Sequence, residues 1–319
     1  MDRRAFASCL AAATLSRCAA PQEQNTAQET TQKETLKPPK IKQIGEIALT
    51  VSDVERSRHF YGEVLGLKTY QSAKITPDLG VTFDIDTGHI GLWLPGKWKE
   101  VNPHLPEPVG RDLGGKKHFN LFIDSAETET ALANLEKHKV KLWGPRKFDN
   151  GSTHIDFEDP DGHLLEYVGK PQLRDVSELT KSGPPRVLRI NEVALVVQDL
   201  ERSRKFYGEV LGLEEYHLPS ITPDRGVTYS IDTGLIGLWL PGKWKEVNPH
   251  LPGDVGADLG GKTHFNMYID RADEQAALDT LKRNNVRSWG PRYNPPDGQL
   301  HIDFEDPDGH LLEFWARPL

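Results

Sequence analysis

Cysteine is almost absent. Cys9 and Cys18 are the two in 319 residues, and both fall within the first twenty. From Ala19 onward the chain has no disulfide, no thiolate nucleophile and no thiolate metal ligand. Basic clusters are missing too: 39 Lys and Arg stand against 47 Asp and Glu, a net charge of −8. That balance excludes the basic face that nucleic-acid binding requires. No apolar run approaches the roughly 20 residues that cross a bilayer. The partners left are small molecules, with no nucleic acid and no membrane span, met by a monomer or a homodimer.

What is present begins with an unusual first segment, MDRRAFASCLAAATLSRCAA. A paired Arg3–Arg4, a short apolar run from Ala5 to Leu15 and small residues at Ala19–Ala20 predict an export signal over residues 1–20. The Arg pair before Phe6 is similar to a twin-arginine signal, with a plain secretory signal as the alternative. The expected location is periplasmic or extracellular. Cys18 offers a lipid-anchor cysteine, but Arg17 stands where a small residue is expected. Residues 21–40 are rich in Gln, Thr and Glu without apolar periodicity, which predicts a disordered linker.

The rest is written twice. IGEIALTVSDVERSRHFYGEVLGL (44–67) returns as INEVALVVQDLERSRKFYGEVLGL (190–213), and GLWLPGKWKEVNPHLP (91–106) returns unchanged at 237–252. The repeat predicts two domains, 41–172 and 189–319, joined by a polar linker at 173–188. Within each, EIALTV alternates as a strand does, and Val54, Ser57, Tyr61 and Val64 then follow at helical spacing. Ser52 and Glu55 are spaced as a capping box, and Gly66 suits the left-handed end of that helix. Short strands are expected at 68–71, 81–85 and 90–94. A Pro- and Gly-rich loop (95–116) precedes the strand HFNLFID. A helix with Ala131, Leu132 and Leu135 inward follows, then strands at 141–143, 153–158 and 164–168, with a DPDG turn before the last. Each half is thus strand–helix–three strands, twice over.

Such a βαβββ unit, opening on ALTV-D-x-E-R-S-x-x-FY and closing on DPDG-x-x-x-E, resembles the vicinal oxygen chelate superfamily. That group contains glyoxalase I, extradiol ring-cleaving dioxygenases, and fosfomycin- and bleomycin-resistance proteins. The resemblance implies an α+β fold of tandem domains. Each would have two βαβββ modules forming a curved mixed sheet around a metal and substrate pocket. It also implies metal ligands at Glu46, His118 and Glu166 in the first half and at Glu192, His264 and Glu313 in the second. A further carboxylate found in glyoxalase I corresponds to Gly91 and Gly237 and is missing. Which modules pair is left open: Glu46 shares a metal either with His118 and Glu166 or with His264 and Glu313.

The residues themselves carry a parallel argument. Each of the six lies on an alternating strand beside apolar neighbours, and burying carboxylates on a sheet face is unfavourable without compensation. Two Glu and one His suit Mn²⁺, Fe²⁺, Zn²⁺ or Mg²⁺, with positions left open for a chelating substrate. Glu46, Glu166, Glu192 and Glu313 are then the catalytic carboxylates, a ligand doubling as base. The repeated loop offers Trp98, Asn102 and His104, with Trp244, Asn248 and His250, as substrate-binding lid residues; capping a sheet edge is their structural alternative. His154 and His301 start the strand before DPDG, as substrate-facing bases or as plain strand-end residues. His163 and His310 are expected to face solvent, and Tyr61 and Tyr207 to sit in the core. His89 has Leu235 as its counterpart and is not taken as a ligand.

Three functions remain in play. The first is a metal-dependent, glyoxalase-like lyase or isomerase acting on a small molecule chelated through vicinal oxygens. The second is an extradiol-type ring-cleaving dioxygenase. The third is a metal-free protein that binds a small molecule such as an antibiotic.

Overall fold

The computed structural model describes residues 37–70, 72, 74–171, 182–294 and 298–317. The predicted export signal, almost all of the linker at 21–40 and residues 172–181 lie outside them. The described chain forms one compact unit containing four βαβββ modules. The first holds β1 (Ile41–Thr50), α1 (Val54–Arg58), β2 (Lys68–Thr69), β3 (Gly80–Ile85) and β4 (Gly88–Trp93). A short helix in the connecting loop, α2 (Lys97–Val101), leads to the second module. This comprises β5 (His118–Asp124), α3 (Thr128–Lys137), β6 (Leu142–Lys147), β7 (Thr153–Glu158) and β8 (Leu164–Lys170).

The third module repeats the first as β9 (Arg189–Val196), α4 (Leu200–Arg204), β10 (Glu214–Glu215), β11 (Gly226–Ile231) and β12 (Gly234–Trp239). After α5 (Lys243–Val247), the fourth holds β13 (His264–Asp270), α6 (Glu274–Arg283), β14 (Ser288–Asn294), β15 (Gln299–Glu305) and β16 (Leu311–Arg317). The loop at 95–116 therefore contains a helical turn that its proline content concealed.

Local physics explains the units. Along β1, Ile47 and Leu49 are buried in the main core while Glu46, Ala48 and Thr50 alternate onto the other face. α1 continues into a wider π-type turn at His59–Val64, and together they bury Val54, Ser57, Phe60, Tyr61 and Val64. The cap differs from the expected box. Asp53 accepts from the Arg56 amide at 3.1 Å, whereas Ser52 is drawn away to donate to Asp161 of the DPDG turn. Gly66 adopts φ +70°, and a Cβ there would lie 2.3 Å from Pro184 Cγ, so this helix end calls for glycine.

Tyr61 is fully buried as expected, its hydroxyl donating to Asp159 at 3.0 Å. His163 and His310 correct their expectation, because both are buried. Each takes a backbone amide on Nδ1, from Lys117 and Thr263, and gives its Nε2 proton to the carbonyl of Thr50 or Val196. A DPDG histidine thus ties the turn to the opening strand of another module.

The modules do not pair within their own halves. β1 pairs antiparallel with β13 of the fourth module, and β9 with β5 of the second. β1 and β9 meet at one residue pair, Ile44–Ile190. The result is one mixed 16-stranded sheet whose main path runs β14-β15-β16-β13-β1-β9-β5-β8-β7-β6, so a sheet confined to each half is replaced by one spanning both. The path is open, its ends β14 and β6 being unpaired with each other.

The connecting loop packs across the two halves. Trp98, Leu105, Val109 and Leu113 cluster with Ala48 and Trp93 of their own half and with Leu311 of the fourth module, burying apolar surface. Trp244, Leu251 and Leu259 do the same against Leu164 and Ala194. The ends of the predicted linkers are packed too: Val187 and Leu188 are buried, and Pro38 lies against Gly212 as Pro184 lies against Gly66.

Candidate functional site

Because β13 lies between β1 and β16, Glu46, Asn266 and Glu313 fall in register across three strands. His264 is two residues from Asn266 and shares its face. Glu46, His264 and Glu313 line a cavity of about 450 Å³. Glu192, Asn120 and Glu166, with His118, repeat the alignment on β9, β5 and β8. The two possibilities left open by the sequence are thereby resolved: Glu46 is grouped with His264 and Glu313, and Glu192 with His118 and Glu166.

The electrostatics of the two sets follow from burial. Glu46 has a long hydrogen bond from Asn266 Nδ2, 3.5 Å. Burial, then the charge of Glu313, pushes its pKa up to about 8. Glu192 takes a shorter bond from Asn120, 3.1 Å, and is raised to about 7 by burial and then by Glu166. His264 and His118 give their Nδ1 protons to the carbonyls of Leu311 and Leu164, each at 3.1 Å. That bond fixes the tautomer and leaves Nε2 as a lone pair. Burial lowers both pKa values, which favours the neutral ring. Trp98 and Trp244 pack over these imidazoles at 4.5 and 4.4 Å between ring centres.

Glu313 is held differently. Its Oε1 accepts from His301 Nδ1 at 2.7 Å and from Arg292 Nη2 at 3.0 Å. Glu166 accepts in the same way from His154 (2.7 Å) and Arg146 (2.9 Å). His301 and His154 therefore touch the predicted ligands themselves rather than standing at plain strand ends. The loop residues divide. His104 Nε2 donates to Asp303 at 3.0 Å, and His250 donates to Asp156 at 3.1 Å, each reaching a carboxylate of the other half. Asn102 and Asn248 spend their amides on the carbonyls of Trp98 and Trp244, shaping the loop, although Asn102 also lines the cavity.

The chemistry of this donor set fits a hard or borderline divalent cation: two carboxylates and an imidazole Nε2, one carboxylate lacking any cation to offset its burial. Among the described residues no three His, Cys, Asp or Glu side chains are already drawn into coordinating distance. Arg292 and His301 occupy the Oε1 of Glu313, which accounts for part of that spacing.

At Gly91, the counterpart of the missing fourth carboxylate, a Cβ would lie 2.7 Å from Trp93 Nε1 and 3.1 Å from Glu46 Oε1. An indole fills the place where a longer side chain would go. The buried Nε1 groups of Trp93 and Trp239 have no hydrogen-bond partner, leaving one unused donor beside each first-strand glutamate.

Several functional residues escaped the sequence reading although their signal was present. Asn120 and Asn266 stand two after the strand histidines, Asp156 and Asp303 two after His154 and His301, and Trp93 two after Gly91. Period two puts each on the site face. Arg146 and Arg292 lie in the repeated Trp-Gly-Pro-Arg, which carried no resemblance and so drew no attention.

Comparisons with known proteins give the chain's family. The profile of the Glyoxalase/Bleomycin resistance protein/Dioxygenase superfamily matches residues 43–167 and again 189–314. A catechol-2,3-dioxygenase of Bacillus subtilis (strain 168) is 27% identical over 200 residues, covering 54% of this chain and 65% of that enzyme, just under two thirds of its length. The glutathione transferase FosA of Serratia marcescens is 28% identical over 130 residues, 40% of this chain and 82% of that protein. Crystalline glyoxalase I from Zea mays shares the fold, with a TM-score of 0.52 at 17% identity over 86% of this chain and 92% of its own. The chain belongs to the Glyoxalase/Bleomycin resistance protein/Dioxygenase superfamily, in a tandem arrangement.

Proposed function

We propose that the cavity of the first and fourth modules is the active site of a metal-dependent lyase or isomerase acting on a small, oxygen-bearing molecule. The observation that carries this reading is the grouping of Glu46 and Glu313, in register through Asn266, with His264 on the wall of one cavity, an arrangement of strands that Glu192, Glu166 and His118 repeat. Glu46, His264 Nε2 and Glu313 would hold the cation, which supplies Lewis-acid polarisation of a bound oxygen. The chain's own residues do the rest. Glu46 Oε1 stands over Gly91 and, ionised as a ligand to that cation would be, is placed to take a proton from a carbon beside a carbonyl and return it to the neighbouring carbon. Arg292 and His301 hold Glu313 in position.

Elemental analysis of native protein purified without chelators tests the metal. One to two equivalents per chain are expected, and well below one removes the reading. Incorporation of solvent deuterium into the product tests the proton transfer. The relative from Bacillus subtilis supports a second reading, extradiol ring cleavage. Oxygen uptake and ring opening of catechol by Fe²⁺-loaded protein, without deuterium incorporation, would select it.

A further inference from the structure

The two glutamate–histidine–glutamate sets are alike, but what surrounds them is not. His89 stands opposite Glu46 in the β1–β4 register, where Leu235 stands opposite Glu192. Trp315 pairs with His301, where Val168 pairs with His154. The substitutions build an aromatic wall in one site. The rings of His89 and Trp315 lie near parallel, 24° apart with centres 6.1 Å from each other. Tyr70 lies 5.0 Å from His89, and Tyr268 supports Trp315 edge-on at 5.3 Å. An Nδ1 bond to Asp84 at 2.9 Å holds the His89 ring in this orientation. In the other set, Val168 is buried against Phe122 and Leu188. The repeat places Lys42 where that half has Leu188, so the apolar cover is not duplicated.

Tyr70, His89 and Trp315 line the same 450 Å³ cavity as Glu46, His264 and Glu313. The cavity also takes in Lys74, where the repeat has Ser220. We infer that the two sites of the chain are specialised. The cavity of the first and fourth modules receives a flat aromatic ring bearing an acidic group, stacked on Trp315 and His89; the set of the second and third modules has Leu235 and Val168 in those places, and its own ring pair is a different one, Phe148 on His154 at 4.4 Å. A ring face offered to these side chains gains offset-stacking attraction that a saturated ring of the same size and charge does not. Lys74 meets the negative charge. This inference rests on the cavity being the substrate site, and it specifies the substrate class and which set takes it.

The probe is 2-naphthoate, compared with decahydro-2-naphthoate, in calorimetric titrations of chelator-treated full-length protein. Neither acid has vicinal oxygens, so binding does not depend on metal chelation. One naphthoate per chain is expected, with the saturated acid bound about tenfold more weakly. The double variant His89→Leu, Trp315→Val carries the residues of the other set, and its affinity should fall about tenfold or more. Tyr70→Ala should weaken binding, whereas Tyr216→Ala, the counterpart at an equally exposed position, should not; both variants test the claim without touching the core. Equal affinity for the two acids, two equivalent sites per chain, or equal effects of Tyr70→Ala and Tyr216→Ala would overturn the inference. Naphthoate binding as described in a protein that purifies without metal leaves this inference standing and removes the metal reading. A metal-loaded protein indifferent to the aromatic ring does the reverse.

Discussion

Glu46 gives the sharpest test of the site's physics. Burial first, and Glu313 second, raise its pKa from 4.5 to about 8. A carboxyl group whose folded pKa is raised favours the folded state at low pH. That contribution is fully present below about 4.5 and is lost as pH rises through about 8. At pH 7 an unfolded chain ionises this group freely while the folded chain keeps it mostly protonated, a penalty of about 3 kcal/mol by linkage. Glu46 lines an open cavity, so water reaching it brings the figure toward ~1–2 kcal/mol.

Glu46→Gln keeps the shape and abolishes the titration. In chelator-treated protein the variant should melt higher than wild type at pH 7–8, by roughly 2–4 °C per kcal/mol for domains of this size. The two melting curves should converge as pH approaches 4.5. Thermal unfolding followed by circular dichroism across that range measures it. A difference that is flat with pH, or a variant less stable throughout, would refute the account of Glu46 as an uncompensated buried acid. Added divalent metal should reverse the order at pH 7–8, because only the wild type offers the first-strand carboxylate.

Three further outcomes are expected. Tyr61→Phe removes the hydroxyl that donates to buried Asp159, and urea unfolding should show a loss of about 1–3 kcal/mol. Trp93→Phe keeps the packing but deletes the unpartnered N–H, so thermal stability should barely move. Thermal unfolding measures it, and a melting temperature lowered by the change would mean that the N–H has a partner after all. His104→Ala releases the loop at 95–116 from Asp303, which keeps Arg292. Limited proteolysis should nick that loop faster than in wild type, while the rest of the chain stays resistant.

Much of this was legible in the residues. Alternation in EIALTV and HFNLFID sends Glu46, His118 and Asn120 to one face of a strand whatever the strand pairs with. Gly66 ends its helix by the same local physics, and DPDG turns the chain so that Glu166 and Glu313 return beside the strand histidines. The four modules follow from such short-range rules, whereas the six glutamate and histidine positions were implied by the resemblance to the vicinal oxygen chelate superfamily. The failures were also local. Proline in the loop at 95–116 hid a helical turn, and His163 and His310 looked like turn residues because their acceptors, Thr50 and Val196, are over 110 residues away.

Partner choice lay beyond the sequence for a plain reason. β1 and β9 read EIALTV and EVALVV, while β5 and β13 read HFNLFID and HFNMYID, so either opening strand could hydrogen-bond to either of the others with the same apolar faces buried. Near-identical edges carry no pairing preference. The choice belongs to the assembled chain, which carries Trp98, Leu105 and Leu113 onto Leu311, and Trp244 and Leu251 onto Leu164. That pairing sets Glu46 beside Glu313 rather than Glu166. It also brings His89 and Trp315, far apart in sequence, to the wall of one cavity.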